Sequence, residues 1–260
     1  MPKIQNKQIL EGRIGMRYKT DLEAVQSVAK SLLYTTVHET KFSPMVVHHP
    51  FTSSAFVAIK RKEEMEMFSI LENKENLHKW QDFMSKQISN TENVYQIFMM
   101  VNKPYALTFL KFAADNLSFE DFSKILNDAW VMSENPNCDA NVSKDELVKF
   151  FKAADPEYLM TPEERKRLSE LDDSVTIYRG VTSYNADNVY ALSWSLDYEK
   201  ANWFAHRFDE DGTVYRAKID KKNILAFFNG RSEAEVIVDP KDLTEVEEAE
   251  DMSQGFIQTM

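Results

Sequence analysis

A single cysteine, Cys138, stands in 260 residues, so no disulfide can form within the chain, and the composition fits a reducing compartment. Glycine is also scarce, at 6 residues, and Gly180, Gly212 and Gly230 all fall between short β-like runs late in the chain. No apolar run approaches the roughly 20 residues that a membrane-spanning helix needs. Residues 1–7 are polar with no apolar stretch behind them, which predicts that no signal peptide is present. Positive charge is in deficit, with 31 Lys and Arg against 42 Asp and Glu, a net charge of −11. That balance argues against bulk attraction to nucleic acid or to an anionic membrane. What is there is an ordinary globular mixture, 43% hydrophobic and 28% charged, expected in the cytoplasm of a producing cell or of a target host cell. The length suits one large domain or two small ones.

Residues 1–18 are polar, with Gly12 and Gly15 as breakers. Leu22, Val25, Val28, Ala29 and Leu32 then recur at helical spacing behind a cap at Thr20 or Asp21. Residues 41–56, with Pro44, Pro50 and the apolar run Met45-Val46-Val47, read as a loop holding one strand. His48 and His49 lack neighbours at metal-ligand spacing and read as a structural pair in a turn. From 60 to 171 the pattern is helical. Its apolar stripes run through Met65–Leu71, 77–84, 95–101, 107–117 and Phe119–Met132, the last capped by Ser118. Residues 135–146 resemble an EF-hand loop in their alternating oxygen side chains, but Asn135 and Ala140 replace the usual Asp and Gly. The favoured reading there is an Asn/Asp-rich loop, with Ser143 capping a helix over Lys144–Ala153 and no metal bound. Thr161-Pro162-Glu163-Glu164 opens one more short helix, ending near Leu171.

After Asp173 the period changes to two. Runs at 175–178, 191–195, 214–219, Ile224–Phe228 and 234–238 predict strands. One helix interrupts them, capped by Asp197 and buried along Ala201, Phe204, Ala205 and Phe208. Residues 245–251 read as a solvated acidic segment, and 255–260 as a last strand or a frayed end. The expectation is an α+β chain with a boundary near 158–173: a mostly helical region over 1–165, then a sheet-rich core over 166–260.

In that core, Glu233-Ala234-Glu235 at the head of the last apolar run puts two carboxylates on one strand face, with Cα atoms roughly 6–7 Å apart. Taken alone such a pair is most simply a solvated face. Held this close, the two charges raise one pKa unless a cation or ligand sits between them. Upstream lie Tyr178-Arg179-Gly180, Ser193-Trp194-Ser195 and the helix bearing Phe204. In this order, on these elements, the four features resemble the Arg-Ser-Glu class of mono-ADP-ribosyltransferases, which includes the clostridial binary and C3-like toxins and phage or bacterial effectors. The resemblance covers roughly residues 174–240.

It implies a split-β-sheet core that binds NAD as substrate and transfers ADP-ribose to an unidentified protein acceptor. Glu235 would bond the ribose 2′-hydroxyl and stabilise the oxocarbenium ion, where fixed negative charge lowers the barrier. Glu233 would orient and deprotonate the acceptor, for which protein arginine is the first choice. The Arg179 fork would hold the pyrophosphate or ribose, and Gly180 would let the backbone approach the carboxamide. Ser193 would fix the Glu235 rotamer, and Phe204, or Trp203 in its place, would stack on nicotinamide. Trp194 stands where the family often has Thr, on the strand face away from the serines. Phe228, in a short segment before Glu233, is offered as an aromatic for a partner. An NAD glycohydrolase on the same scaffold, a catalytically silent helical protein-binding module and a calcium sensor are the competing readings.

Overall fold

Where a polar side chain caps the first turn ahead of a periodic apolar stripe, a helix forms. Asp21 Oδ1 accepts the Ala24 N–H at 3.1 Å, and helix α1 (Leu22–Leu33) follows. Ser118 Oγ accepts the Asp121 N–H at 3.0 Å and starts α5 (Phe119–Met132). The computed structural model describes residues 17–61, 64–133, 136–207 and 211–250, in two units, Met1–Val142 and Ser143–Met260. Gly12, Gly15, Asn135, Phe208 and residues 255–260 lie outside the described residues.

The first unit mixes helix and sheet. Strands β1 (His38–Glu39), β2 (Val46–His49) and β3 (Thr52–Ser54) form a small antiparallel sheet, and β4 (Phe56–Arg61) pairs with β5 (Glu64–Ser69). Helices α2 (Lys74–Ser89), α3 (Val94–Phe98) and α4 (Ala106–Ala113) precede α5. Their buried stripes meet in a core that includes Val25, Leu33, Ile88, Ile97, Phe109 and Trp130. The strands at 52–54, 56–61 and 64–69 were not expected, and the last replaces an expected helix. Residues 64–69 read as helix because Glu and Met favour helices. Their register opposite residues 56–61, Val57 facing Phe68 and Ile59 facing Glu66, makes them a strand instead.

The division falls between Val142 and Ser143, ahead of the expected 165/166. Helices α6 (Lys144–Ala153), α7 (Pro156–Leu159) and α8 (Pro162–Ser169) therefore belong with the sheet. The strands that follow are β6 (Ser174–Val181), β7 (Ser193–Ser195), β8 (Thr213–Asp220), β9 (Ile224–Phe228), β10 (Glu235–Val238) and β11 (Thr244–Glu248), with helix α9 (Tyr198–His206) between β7 and β8. They form one antiparallel sheet in the order β11-β8-β6-β7-β10-β9. Its middle is thin. The register of β6 with β8 runs from Ser174 opposite Asp220 to Val181 opposite Thr213, whereas β6 and β7 share the single pair Tyr178 and Ser195. Two three-stranded halves thus meet at one residue pair. The acidic segment near 245–251 is solvated over its first residues, as expected, but those residues are also a strand: β11 lies on β8, with Arg216 and Lys218 pairing Glu247 and Glu245. The chain is α+β, and among the described residues no helix is long and apolar enough to cross a membrane.

His49 is fully buried in the first unit. Its Nδ1 accepts the Phe51 N–H at 3.1 Å, its Nε2 lies 3.1 Å from the Leu33 carbonyl, and the Trp80 ring meets it edge-on. Burial disfavours the imidazolium and pushes its pKa down to about 4 from 6.5. The unfolded chain therefore binds more protons between those values, so stability is present above pH 6.5 and is lost as pH falls toward 4. The expected loss is about 3 kcal/mol across that window. NMR titration should show the His49 ring unprotonated at pH 5, and urea midpoints followed from pH 7 to 4 should fall. His49→Gln should remove most of that slope.

Candidate functional site

β10 is buried on both faces, and it begins with a carboxylate: Glu235 is 6% exposed. A charge so placed needs bonded partners. On neighbouring β7, Ser195 faces Glu235 and Ser193 faces Ile237, so Ser193 is the diagonal neighbour of Glu235 on one sheet face. Ser193 Oγ donates to Glu235 Oε1 at 2.5 Å. Ser195 Oγ donates to the Glu233 carbonyl at 2.7 Å and accepts the Asp197 N–H at 3.0 Å, tying the strand to the start of α9. Trp194, between the serines, is buried with its indole N–H on the Ala191 carbonyl at 2.9 Å.

Glu233 does not continue the strand. Ser232 (φ 55) and Ala234 (φ 46) are left-handed on either side of it, a conformation costing about 1 kcal/mol or more each for residues with a Cβ. The turn is held by Asn229, whose carbonyl accepts the Ser232 N–H at 2.9 Å and whose Oδ1 accepts the Ala234 N–H at 3.1 Å. The Asn229 N–H donates in turn to Glu164 Oε1 at 2.8 Å, and the Leu196 N–H to the Ala234 carbonyl at 2.9 Å. The two carboxylates therefore do not share a strand face by period-two alternation. They converge on a cation: Arg231 Nη2 lies 2.9 Å from Glu233 Oε2 and 4.0 Å from Glu235 Oε2. Sequence reasoning missed Arg231. Its signal was the spacing Arg-x-Glu-x-Glu, a guanidinium two and four residues ahead of the pair.

Arg179 reaches the same cluster from β6. Its Nε donates to the Asn188 carbonyl at 3.1 Å and its Nη1 to the Ser193 carbonyl at 2.6 Å. It thus grips the backbone of the residue whose hydroxyl holds Glu235. Lys144 secures Asn188 through its side-chain oxygen and bonds the Tyr190 carbonyl at 2.9 Å. Arg179, Ser193, Glu233 and Glu235 are joined in this way, with Arg231 added.

Gly180 and Phe204 meet at a different contact. A Cβ on Gly180 would lie 2.0 Å from the Ala201 carbonyl oxygen, 2.5 Å from the Ala205 nitrogen and 3.0 Å from Phe204 Cβ. The absent side chain is thus accounted for by α9 crossing β6, with Ala201 and Ala205 buried beneath it. Phe204 is half-buried, with Trp203 edge-on at 5.0 Å and the Arg207 guanidinium over its ring at 5.1 Å. Trp203 is 62% exposed. Tyr178 is half-buried and meets Tyr198 edge-on at 5.5 Å. Phe228 is no surface aromatic: it is buried against Phe151, so its offer to a partner is withdrawn.

The EF-hand-like oxygens are engaged locally. Asp139 Oδ1 accepts the Asn141 and Val142 N–H groups at 2.7 and 2.9 Å. Glu146 closes a capping box with Ser143. Among the described residues no group of three or more His, Cys, Asp or Glu could hold a metal ion. The first unit has an open groove of about 640 Å³ lined by Asn90, Asn93, Tyr95, Gln96 and Met99, amide-rich and without a paired acid and base. No family model, no curated protein and no solved structure matches the chain.

Because backbone atoms, not a pliable side-chain tip, fill the place of a Gly180 Cβ, Gly180→Ala should displace α9. We expect a loss of about 1–3 kcal/mol, read as a lower urea midpoint for the second unit, with Trp203 fluorescence reporting on α9.

Proposed function

We propose that the second unit is an NAD-dependent mono-ADP-ribosyltransferase core of the Arg-Ser-Glu class. The observation that carries this reading is the 2.5 Å bond from Ser193 Oγ to Glu235 Oε1, made at the thin seam of the sheet where Arg179 grips the Ser193 backbone. An enzyme of this class needs one carboxylate fixed in a single rotamer, because its charge must already stand where the sugar cation forms. Ser193 bonds Oε1, and Oε2 faces the side on which Arg231 lies.

In the proposed reaction the bond from ribose C1′ to the nicotinamide nitrogen breaks, and nicotinamide leaves with the electron pair. Glu235 Oε2 bonds the 2′-hydroxyl and stabilises the cation at C1′. The acceptor nitrogen then attacks C1′ and gives up its proton to Glu233, which is more exposed than Glu235, with 22% of its side chain open. Arg179 contributes positive charge beside the seam for the pyrophosphate. Phe204 or the exposed Trp203 supplies an aromatic face on α9 for nicotinamide, and Gly180 brings that helix close to β6. Arginine on a protein is the favoured acceptor. The pairing of Glu233 with Arg231 favours one second reading, an NAD glycohydrolase, since a Glu233 already holding a cation leaves water as the readiest nucleophile.

Purified protein incubated with labelled NAD should release nicotinamide and label itself or a protein in lysate. Glu235→Gln keeps the size of the side chain and removes its charge, so it should lower nicotinamide release by about 10²–10³-fold. Glu233→Gln should reduce protein labelling more than nicotinamide release. No NAD consumption by the wild type with any lysate would sink the enzyme reading. Release without labelling would favour the hydrolase.

A further inference from the structure

Arg231 is placed where an acceptor would have to be. One nitrogen of its guanidinium reaches both carboxylates, at 2.9 Å from Glu233 Oε2 and 4.0 Å from Glu235 Oε2. These are the oxygens that the proposed reaction uses, since Oε1 of Glu235 is taken by Ser193. Exposure is graded across the three side chains: 8% for Glu235, 22% for Glu233 and 44% for Arg231, so the cation covers the pair from the solvent side. The turn beneath it is fastened by Asn229, Glu164, Ser195 and Leu196. Rotation of the Arg231 side chain leaves those bonds in place.

We propose that Arg231 occupies the acceptor-guanidinium subsite in the resting protein, and that an acceptor enters only by exchanging with it. This rests on the ADP-ribosyltransferase reading of Glu233 and Glu235. Charge decides which groups can make the exchange. A guanidinium replacing a guanidinium leaves the site's net charge unchanged and restores a planar fork suited to carboxylates. A neutral acceptor must either work beside Arg231 or displace that cation from two adjacent carboxylates, which like-charge repulsion opposes. Arg231 is therefore a selectivity element for the acceptor, and it lowers the affinity of every guanidine ligand by the fraction of time it is in place.

The test needs no NAD. Agmatine, a small guanidine, is titrated by calorimetry or NMR into the full-length wild type, Arg231→Ala, Arg231→Gln and the double variant Arg231→Ala with Glu233→Gln. Both single variants should bind agmatine roughly tenfold more tightly than wild type, and the double variant should lose that gain. The Gln variant keeps side-chain length and polarity, so a folding defect in the Ala variant, checked by circular dichroism, still leaves a decisive measurement. Equal affinity in wild type and Arg231→Gln would overturn the proposal, as would a gain that survives Glu233→Gln. Nicotinamide release by the wild type is scored separately. A tenfold gain in a protein that consumes no NAD would uphold the subsite and reject the reaction, and an active enzyme with no gain would do the reverse.

Discussion

A carboxylate at the head of a strand buried on both faces constrains what can surround it. Glu235 precedes Val236, Ile237 and Val238, all buried, so the position of the strand between β7 and β9 carries the charge inward with it. Leaving it without donors costs several kcal/mol, so a hydroxyl and a cation have to be supplied nearby. Ser193 supplies the first and Arg231 faces the second oxygen. Arg179 then holds the carbonyl of Ser193, Asn188 is held by Arg179 and Lys144, and the loop before β7 is fixed as a consequence.

The same demand explains why the sheet is thin at its centre. Beyond the pair Tyr178 and Ser195, the Arg179 side chain joins β6 to β7 at the Ser193 carbonyl, while the hydroxyls of Ser193 and Ser195 turn to Glu235 and to the Glu233 carbonyl. Side-chain bonds at the seam leave the β11-β8-β6 and β7-β10-β9 halves joined through few residues, with α9 lying against the junction. That helix can approach because Gly180 and Gly212 have no Cβ: at Gly212 one would lie 2.2 Å from the Ala205 carbonyl oxygen. Helix placement and carboxylate placement are therefore set by adjacent residues, Arg179 and Gly180.

Much of this architecture is legible in the sequence because its causes are local. Caps at Asp21, Ser118, Ser143, Thr161 and Asp197 start helices within a residue or two of their expected positions. Ile224–Phe228 is the strand its apolar run predicts. Other differences arise where a partner distant in sequence overrides local preference. Residues 64–69 become strand because β4 lies beside them, and residues 244–248 become an edge strand because Arg216 and Lys218 offer charges opposite. The helices at 144–169 join the sheet because α8 lies on β9, with Glu164 bonding the Asn229 backbone. In the site, the bond between Ser193 and Glu235 is one that the family resemblance implies. The left-handed turn at Ser232 and Ala234 is not legible, since neither is the Gly or Asn that such a conformation favours, and without it the reach of Arg231 is invisible.

The Glu-x-Glu spacing recurs on β11, and the contrast separates pattern from environment. On β11, Glu245 and Glu247 lie on an edge strand, each with more than half of its side chain exposed and each with its own cation on β8: Lys218 at 2.7 Å and Arg216 at 2.8 Å. Exposed pairs of that kind are worth a few tenths of a kcal/mol, and their charges are satisfied by neighbours and water. Glu233 and Glu235 have the same spacing, yet one is buried, the turn between them is left-handed, and a single guanidinium serves both. The spacing is common to both segments. Burial and the shared cation belong to one of them.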